Sequence, residues 1–233
     1  ISILDKINKF VKSDKKFNKK YKIVITPPYT LIQSCAKFFS NNKISIGAQN
    51  CYHKDNFGAN TGAISSLMTK SVGAQYIIIG HSDNRSEGDT DAMLKSKVEN
   101  SLNNKLKVVF CIGENKEHKL GKKTFEVLEK QIKNVLEEKF NFKDIIIAYE
   151  PIWSIGTGQI PEADDLLKTT IFIKKVLRNI FKKKSSSAVL YGGSVDGKNI
   201  SQFKKLNEID GFLIGGASKS DKNFIDIIKN YYK

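Results

Sequence analysis

Short β-branched runs alternate with longer amphipathic ones along nearly the whole chain, and no other feature narrows its fold as much. A strand cannot pair in parallel with its successor without a crossover, and an amphipathic helix supplies that crossover while covering one face of the sheet. The runs predict strands at Lys22 to Thr26, Ile44 to Ala48, Gln75 to Ile79, Lys107 to Ile112, Ile145 to Tyr149, Ala188 to Tyr191 and Gly211 to Ile214. Between them Phe125, Leu128, Ile132, Val135 and Leu136 recur at helical spacing, as do Leu166, Ile173, Val176, Leu177 and Ile180. At 233 residues the chain is long enough for one large α/β domain, and no linker divides it.

Nearly every predicted strand ends in polar or glycine-bearing residues: Pro27-Pro28, Gln49-Asn50, His81-Ser82, Gly113-Glu114, Glu150, Gly192-Gly193-Ser194 and Gly215-Gly216. A doubly wound open sheet would gather its ligand groups at one switch point, whereas a closed barrel of parallel strands brings all these ends to one face. The even distribution favours the barrel. Such a barrel needs eight strands, and seven are legible. The chain opens instead on Ile1, Ile3, Leu4, Ile7, Phe10 and Val11 at helical spacing, with no strand before them and no initiator methionine. The expectation is that the recorded sequence begins inside the natural protein and omits a first strand with its loop.

The segment Ala148-Tyr149-Glu150-Pro151-Ile152-Trp153-Ser154-Ile155-Gly156-Thr157-Gly158 sets a carboxylate where an apolar strand stops. Pro151 breaks the strand, and Gly156 and Gly158 free the backbone to hinge or to approach a ligand. That is the pattern of a base and its lid; a plain strand-to-helix connection with a solvated glutamate has the same composition. His81 stands at the end of its own strand, where an acid/base role competes with a structural one. Gly192-Gly193-Ser194 and Gly215-Gly216 end successive strands, and glycines let backbone N–H groups converge on an anion such as phosphate.

The formal charge of +15 raises a nucleic-acid role. Its lysines are spread over helix-like stretches (Lys15, Lys16, Lys19, Lys20; Lys182 to Lys184) without interleaved aromatics, which fits a solvated surface that steers an anionic substrate. No nucleic-acid partner is expected. No apolar stretch reaches the roughly 18 residues of a membrane span, so no membrane role is expected either. Cys35, Cys51 and Cys111 are odd in number and at no metal-ligand spacing, which fits a reducing, cytoplasmic setting and implies no metal. His53 and His118 carry no assignable role.

Taken in order, Gln49-Asn50-Cys51-Tyr52, Gly80-His81-Ser82, Cys111-Ile112-Gly113-Glu114, Tyr149-Glu150-Pro151-Ile152-Trp153, Ile155-Gly156-Thr157-Gly158, Tyr191-Gly192-Gly193-Ser194-Val195 and Gly211 to Ser218 make the chain resemble the triosephosphate isomerase family from its first helix onward. The resemblance implies a (β/α)8 TIM barrel and a glycolytic and gluconeogenic isomerase. Its reaction would interconvert dihydroxyacetone phosphate and glyceraldehyde 3-phosphate through an enediolate, with no cofactor. Glu150 would remove the carbon-bound proton, and His81 would act as a neutral imidazole that polarises the carbonyl. The family is itself the standard illustration of that pairing. Gly156, Ser194, Gly215 and Gly216 would hold the phosphate. The lid would run from Pro151 to about Ile160, through Thr157 and Gly158, with Tyr191 and Ser194 latching it closed and Glu114 holding Trp153 when it is open. Core packing is the competing role for Tyr191. The loop around Thr61 would be the dimer arm, implying a homodimer.

The departures from the family pattern are specific. No residue matches the family's Asn-x-Lys at the end of the first strand, and without that lysine transition-state stabilisation would fall by several kcal/mol. A catalytically silent barrel that binds a phosphorylated ligand is therefore the alternative expectation. Asp83 replaces the usual glutamate after His81-Ser82, which puts its catalytic support in question. Asn84 and Ala63 replace an arginine and a glutamate that pair, so no orphan charge remains. Gln159-Ile160 replaces the commoner Lys-Thr at the end of the lid.

Overall fold

The computed structural model describes residues 2–15, 19–40, 44–54 and 58–232; Ile1 and Lys16, which enter the readings above, lie outside them. Seven strands form one parallel sheet whose spatial order is their chain order. They are β1 (Val24–Ile25), β2 (Ser45–Ala48), β3 (Tyr76–Ile79), β4 (Lys107–Ile112), β5 (Ile145–Tyr149), β6 (Ala188–Tyr191) and β7 (Gly211–Phe212). The helices are α1 (Ser2–Ser13), α2 (Ile32–Phe38), α3 (Ser66–Ser71), α4 (Ser82–Ser86), α5 (Asp91–Asn103), α6 (Lys116–Leu120), α7 (Thr124–Val135), α8 (Ala163–Phe181) and α9 (Asp221–Tyr232).

The three strands β4, β5 and β6 start and stop where their β-branched runs do. The ladder pairs Val108 with Ile145 through Ile112 with Tyr149, and Ile146 with Ala188 through Tyr149 with Tyr191. The outer strands are shorter than the sequence suggests, because β1 is laddered only to β2 and β7 only to β6. Apolar burial runs past their ladders: Ile23 is buried beside β1, and Ile214 packs on the core beyond β7. Apolar pattern thus reports burial, while the ladder reports pairing, and the two diverge at a sheet's flank.

Alternation along each strand sorts its side chains onto two faces. Val108, Phe110, Ile112, Ile145, Ile147 and Tyr149 join a core that includes Leu94, Leu128, Ile132, Ile173 and Leu177 of the helices. Ile78, Val109, Cys111 and Ala148 face the other way and form a separate cluster with Tyr76, Ile146, Leu190 and Leu213, all on or beside strands. This second cluster is the inside of the curled sheet. One helical expectation differs: Phe125 of α7 is exposed and stacks on Phe172 of α8 at 4.5 Å instead of covering the sheet.

Side-chain caps define where helices begin. Ser65, Thr90 and Asn115 accept the N–H groups of Met68, Met93 and His118 at 3.2, 3.3 and 2.8 Å. The helix α8 ends at Lys182, whose φ of 50° is left-handed.

Candidate active site

Two residues beyond Ala148, alternation carries Glu150 to the inside of the sheet at the C-terminal end of β5. Its N–H donates to the Ile112 carbonyl at 2.8 Å, a rung that continues the pairing of β4 and β5. Both flanking positions are glycine, for reasons of space. A Cβ on Gly113 would fall 1.8 Å from the Glu150 carbonyl oxygen, and one on Gly192 would fall 2.7 Å from Glu150 Cγ. The residue so accommodated is 3% exposed.

Burial pushes the Glu150 carboxyl up to about 8 from its usual 4.5; the Cys111 thiol and the Ser82 N–H, both hydrogen-bonded to it, and the Arg85 charge pull it down, while Asp83 adds to the rise. Desolvation wins because a thiol is a weak donor and one peptide N–H does not replace a carboxylate's hydration. Burial and the same carboxylate push the Cys111 thiol well above its ordinary range. A carboxyl held this way binds its proton more tightly than a solvated one, so its ionised fraction is the stronger base.

His81 faces it, with Nε2 3.5 Å from Glu150 Oε1. Gly80 ends β3 with a φ of 78°, turning the chain so that His81 caps α4, and its Nδ1 accepts the Asp83 N–H at 3.3 Å. That contact occupies Nδ1 and leaves Nε2 facing Glu150. The Asp83 carboxylate also lies 3.4 Å from Nδ1, but its side chain is 81% exposed. The backbone N–H is the partner, since a solvated carboxylate gains little from so long a contact. Below the pair, Arg85 donates from Nε to the Gly80 carbonyl at 2.8 Å and from Nη2 to the Cys111 carbonyl at 3.1 Å, tying the ends of β3 and β4 together.

Pro151 leads into a single 3-10 turn, Ile152–Ser154. Trp153 Nε1–H donates to Glu114 Oε1 at 2.9 Å, Tyr149 O–H donates to the same oxygen at 3.1 Å, and Glu114 is fully buried. The Thr157 hydroxyl donates to the Trp153 and Ser154 carbonyls, both at 3.2 Å, closing the turn on itself. Gly156 and Gly158 have φ of 69° and 76°, and residues 156–159 are exposed. Tyr191 is buried, its hydroxyl 3.1 Å from Ser154 Oγ, so it packs in the core and contacts the end of the 3-10 turn at once. The Ser194 N–H donates to the same Ser154 oxygen at 3.3 Å.

Gly215 and Gly216 are exposed and have nothing within 4 Å of where a Cβ would lie, so the backbone there is open to a ligand. Thr61 is exposed at the tip of a turn closed by hydrogen bonds from Asn60 N–H to the Gly58 carbonyl at 2.8 Å and from Ala63 N–H to the Asn60 carbonyl at 3.0 Å. Among the described residues no group of three or more His, Cys, Asp or Glu side chains could hold a metal ion, and no helix is long and apolar enough to cross a membrane.

Sequence reading singled out Glu150 and His81, which the structure brings together, but missed Cys111 and the place of Gly192 beneath Glu150. Parity could have found both: Cys111 is laddered to Ala148 and Ala148 to Leu190, so residues two further along β5 and β6 share the next inward layer.

A sequence profile described as triosephosphate isomerase matches residues 2–231. The triosephosphate isomerase of Dictyoglomus thermophilum is 38% identical over 229 residues, covering 96% of this chain and 91% of that one. That of Saccharomyces cerevisiae is 38% identical over 211 residues, covering 89% and 84%. The crystal structure of triosephosphate isomerase from Bartonella henselae superimposes with a TM-score of 0.88 at 30% identity, covering all of this chain and 92% of that one.

Proposed function

The chain belongs to the triosephosphate isomerase family, with its TIM-barrel fold and its interconversion of dihydroxyacetone phosphate and glyceraldehyde 3-phosphate, and from that premise we propose which of its residues perform the reaction. Glu150 is the base: its carboxylate takes a proton from the carbon beside the substrate carbonyl and returns it to the neighbouring carbon. The electron pair left behind forms the enediolate, whose developing oxyanion is met by the Nε2–H of His81. The neutral ring then moves protons between the two oxygens. The observation that carries this reading is a carboxylate 3% exposed, raised to about 8, and 3.5 Å from an imidazole Nε2.

Before substrate binds, Glu150 is engaged by the Ser82 N–H and the Cys111 thiol. Both contacts have to yield when it swings to the reacting carbon. The phosphate is held by backbone N–H groups at Gly156, Ser194, Gly215 and Gly216, so that closure of the lid over it excludes water from the enediolate. The Trp153–Glu114 bond supports an open resting lid. Closure would pass the Ser154 end of the lid to Tyr191 and Ser194, already its neighbours, with Pro151 and Gly158 bounding the moving segment. Asp83 acts only through His81, since its carboxylate is largely solvated.

Turnover in deuterated water tests the scheme. Proton abstraction from carbon leaves product that carries deuterium at that carbon, and Glu150→Gln abolishes the incorporation. Binding of a phosphorylated enediolate analogue without deuterium uptake by the wild type would instead make the protein a silent phosphate-ligand binder.

The projecting turn around Thr61 supports a homodimer, and sedimentation at micromolar concentration should give twice the chain mass. The three buried free cysteines suit a reducing compartment such as the cytoplasm.

A further inference from the structure

Helices that wrap a sheet ordinarily meet it through apolar side chains, and on α7 Leu128, Ile132 and Val135, all fully buried, do so. Gln131 on the same helix does something else. Its Oε1 accepts the Gly113 N–H at 2.9 Å and its Nε2 donates to the Gly113 carbonyl at 3.0 Å. Gly113 is buried and lies one residue past β4, where the ladder has run out. Buried peptide groups beyond the ladder need other partners, and one carboxamide meets both the donor and the acceptor of Gly113. Gln131 thus takes the place of a further strand rung.

That peptide is where two functional groups meet. On one side it presses on the backbone of Glu150 so closely that no Cβ fits between them. On the other it leads into Glu114, whose carbonyl accepts the Ile152 N–H at 3.0 Å and whose carboxylate accepts the Trp153 N–H. We propose that Gln131 is a positioning residue for the isomerisation: through Gly113 it sets both the main-chain seat of the base and the anchor from which the open lid hangs. The inference rests on Glu150 being the base. Gln131 touches no substrate; it acts by holding a strand end that would otherwise shift by fractions of an ångström, which is enough to misalign a proton transfer.

The test compares wild type with Gln131→Met, which keeps the side-chain length but neither hydrogen bond, and with Lys130→Met, the same replacement at the exposed neighbour. Gln131→Met should lower kcat about tenfold or more with KM changed less than about twofold. It should also shift the emission of Trp153, the protein's one tryptophan, while Lys130→Met changes neither. Should Gln131→Met fold poorly, Gln131→Glu serves instead. Its ionised carboxylate can still accept the Gly113 N–H but repels the carbonyl, whereas its protonated form restores both bonds. The ratio of its kcat to that of wild type should therefore rise toward one as pH falls, with Trp153 emission returning in parallel. A folded Gln131→Met with wild-type kcat, or a Gln131→Glu ratio independent of pH, overturns the proposal. If Glu150→Gln leaves turnover intact, the base assignment fails; if Glu150→Gln is inactive while Gln131→Met is not, only this inference fails.

Discussion

Two glutamates are buried at adjacent strand ends, and they are provided for in opposite ways. Glu114, just past β4, receives a tyrosine O–H and an indole N–H on one oxygen. Glu150, just past β5, receives a thiol and one peptide N–H, and burial lifts its carboxyl to about 8. The sheet supplies similar cover to both, so burial alone does not make a base. The donors distinguish them: those on Glu114 tie it to Tyr149 and Trp153, while those beside Glu150 do not offset the burial that raises its carboxyl.

The largest effect expected from breaking this contrast is on turnover. Glu150→Gln keeps shape but removes the proton acceptor, and kcat should fall by about 10²- to 10⁴-fold, measured by isomerisation of glyceraldehyde 3-phosphate. Gly192→Ala leaves the carboxylate in place but displaces it, because the new Cβ would lie 2.7 Å from Glu150 Cγ. Its kcat should drop by on the order of 10²-fold with KM nearly unchanged. The matching change at the other glutamate, Glu114→Leu, leaves the buried Tyr149 hydroxyl without its acceptor and frees Trp153. It should destabilise the fold by about 1–3 kcal/mol in urea unfolding, with a smaller loss of activity than Gly192→Ala.

A fourth test uses linkage. The folded chain keeps Glu150 protonated up to about 8 while the unfolded chain ionises near 4.5, so between those values the folded state binds more protons. Stability held below 4.5 is then lost as pH rises to about 8. Glu150→Gln escapes that loss and should be the more stable protein above pH 4.5, by an amount on the order of a few kcal/mol that stops growing near pH 8.

The inner strands were legible because β-branched runs bounded by polar residues coincide with β4, β5 and β6 when a ladder lies on both sides. β1 and β7 were read too long because burial of Ile23 and Ile214 continues where pairing stops. Glu150 and His81 stood out as reactive side chains at strand ends. Cys111 did not, since its contact with the base depends on which face of β4 it occupies. The Gln131–Gly113 pair was invisible for a related reason: a glutamine in an amphipathic run reads as solvent-facing, and only the packing of α7 against the sheet's end turns its amide inward.

The central claim is that burial with few strong donors, and not sequence position, makes Glu150 the proton acceptor. Titration of its carboxyl by carbon NMR in the ligand-free protein, with Glu150→Gln identifying the signal, addresses that directly. A carboxyl resonance that titrates far above the ordinary glutamate range, toward 8, and vanishes in the variant is the expected result. A Glu150 signal that titrates at or below 4.5 would contradict the account.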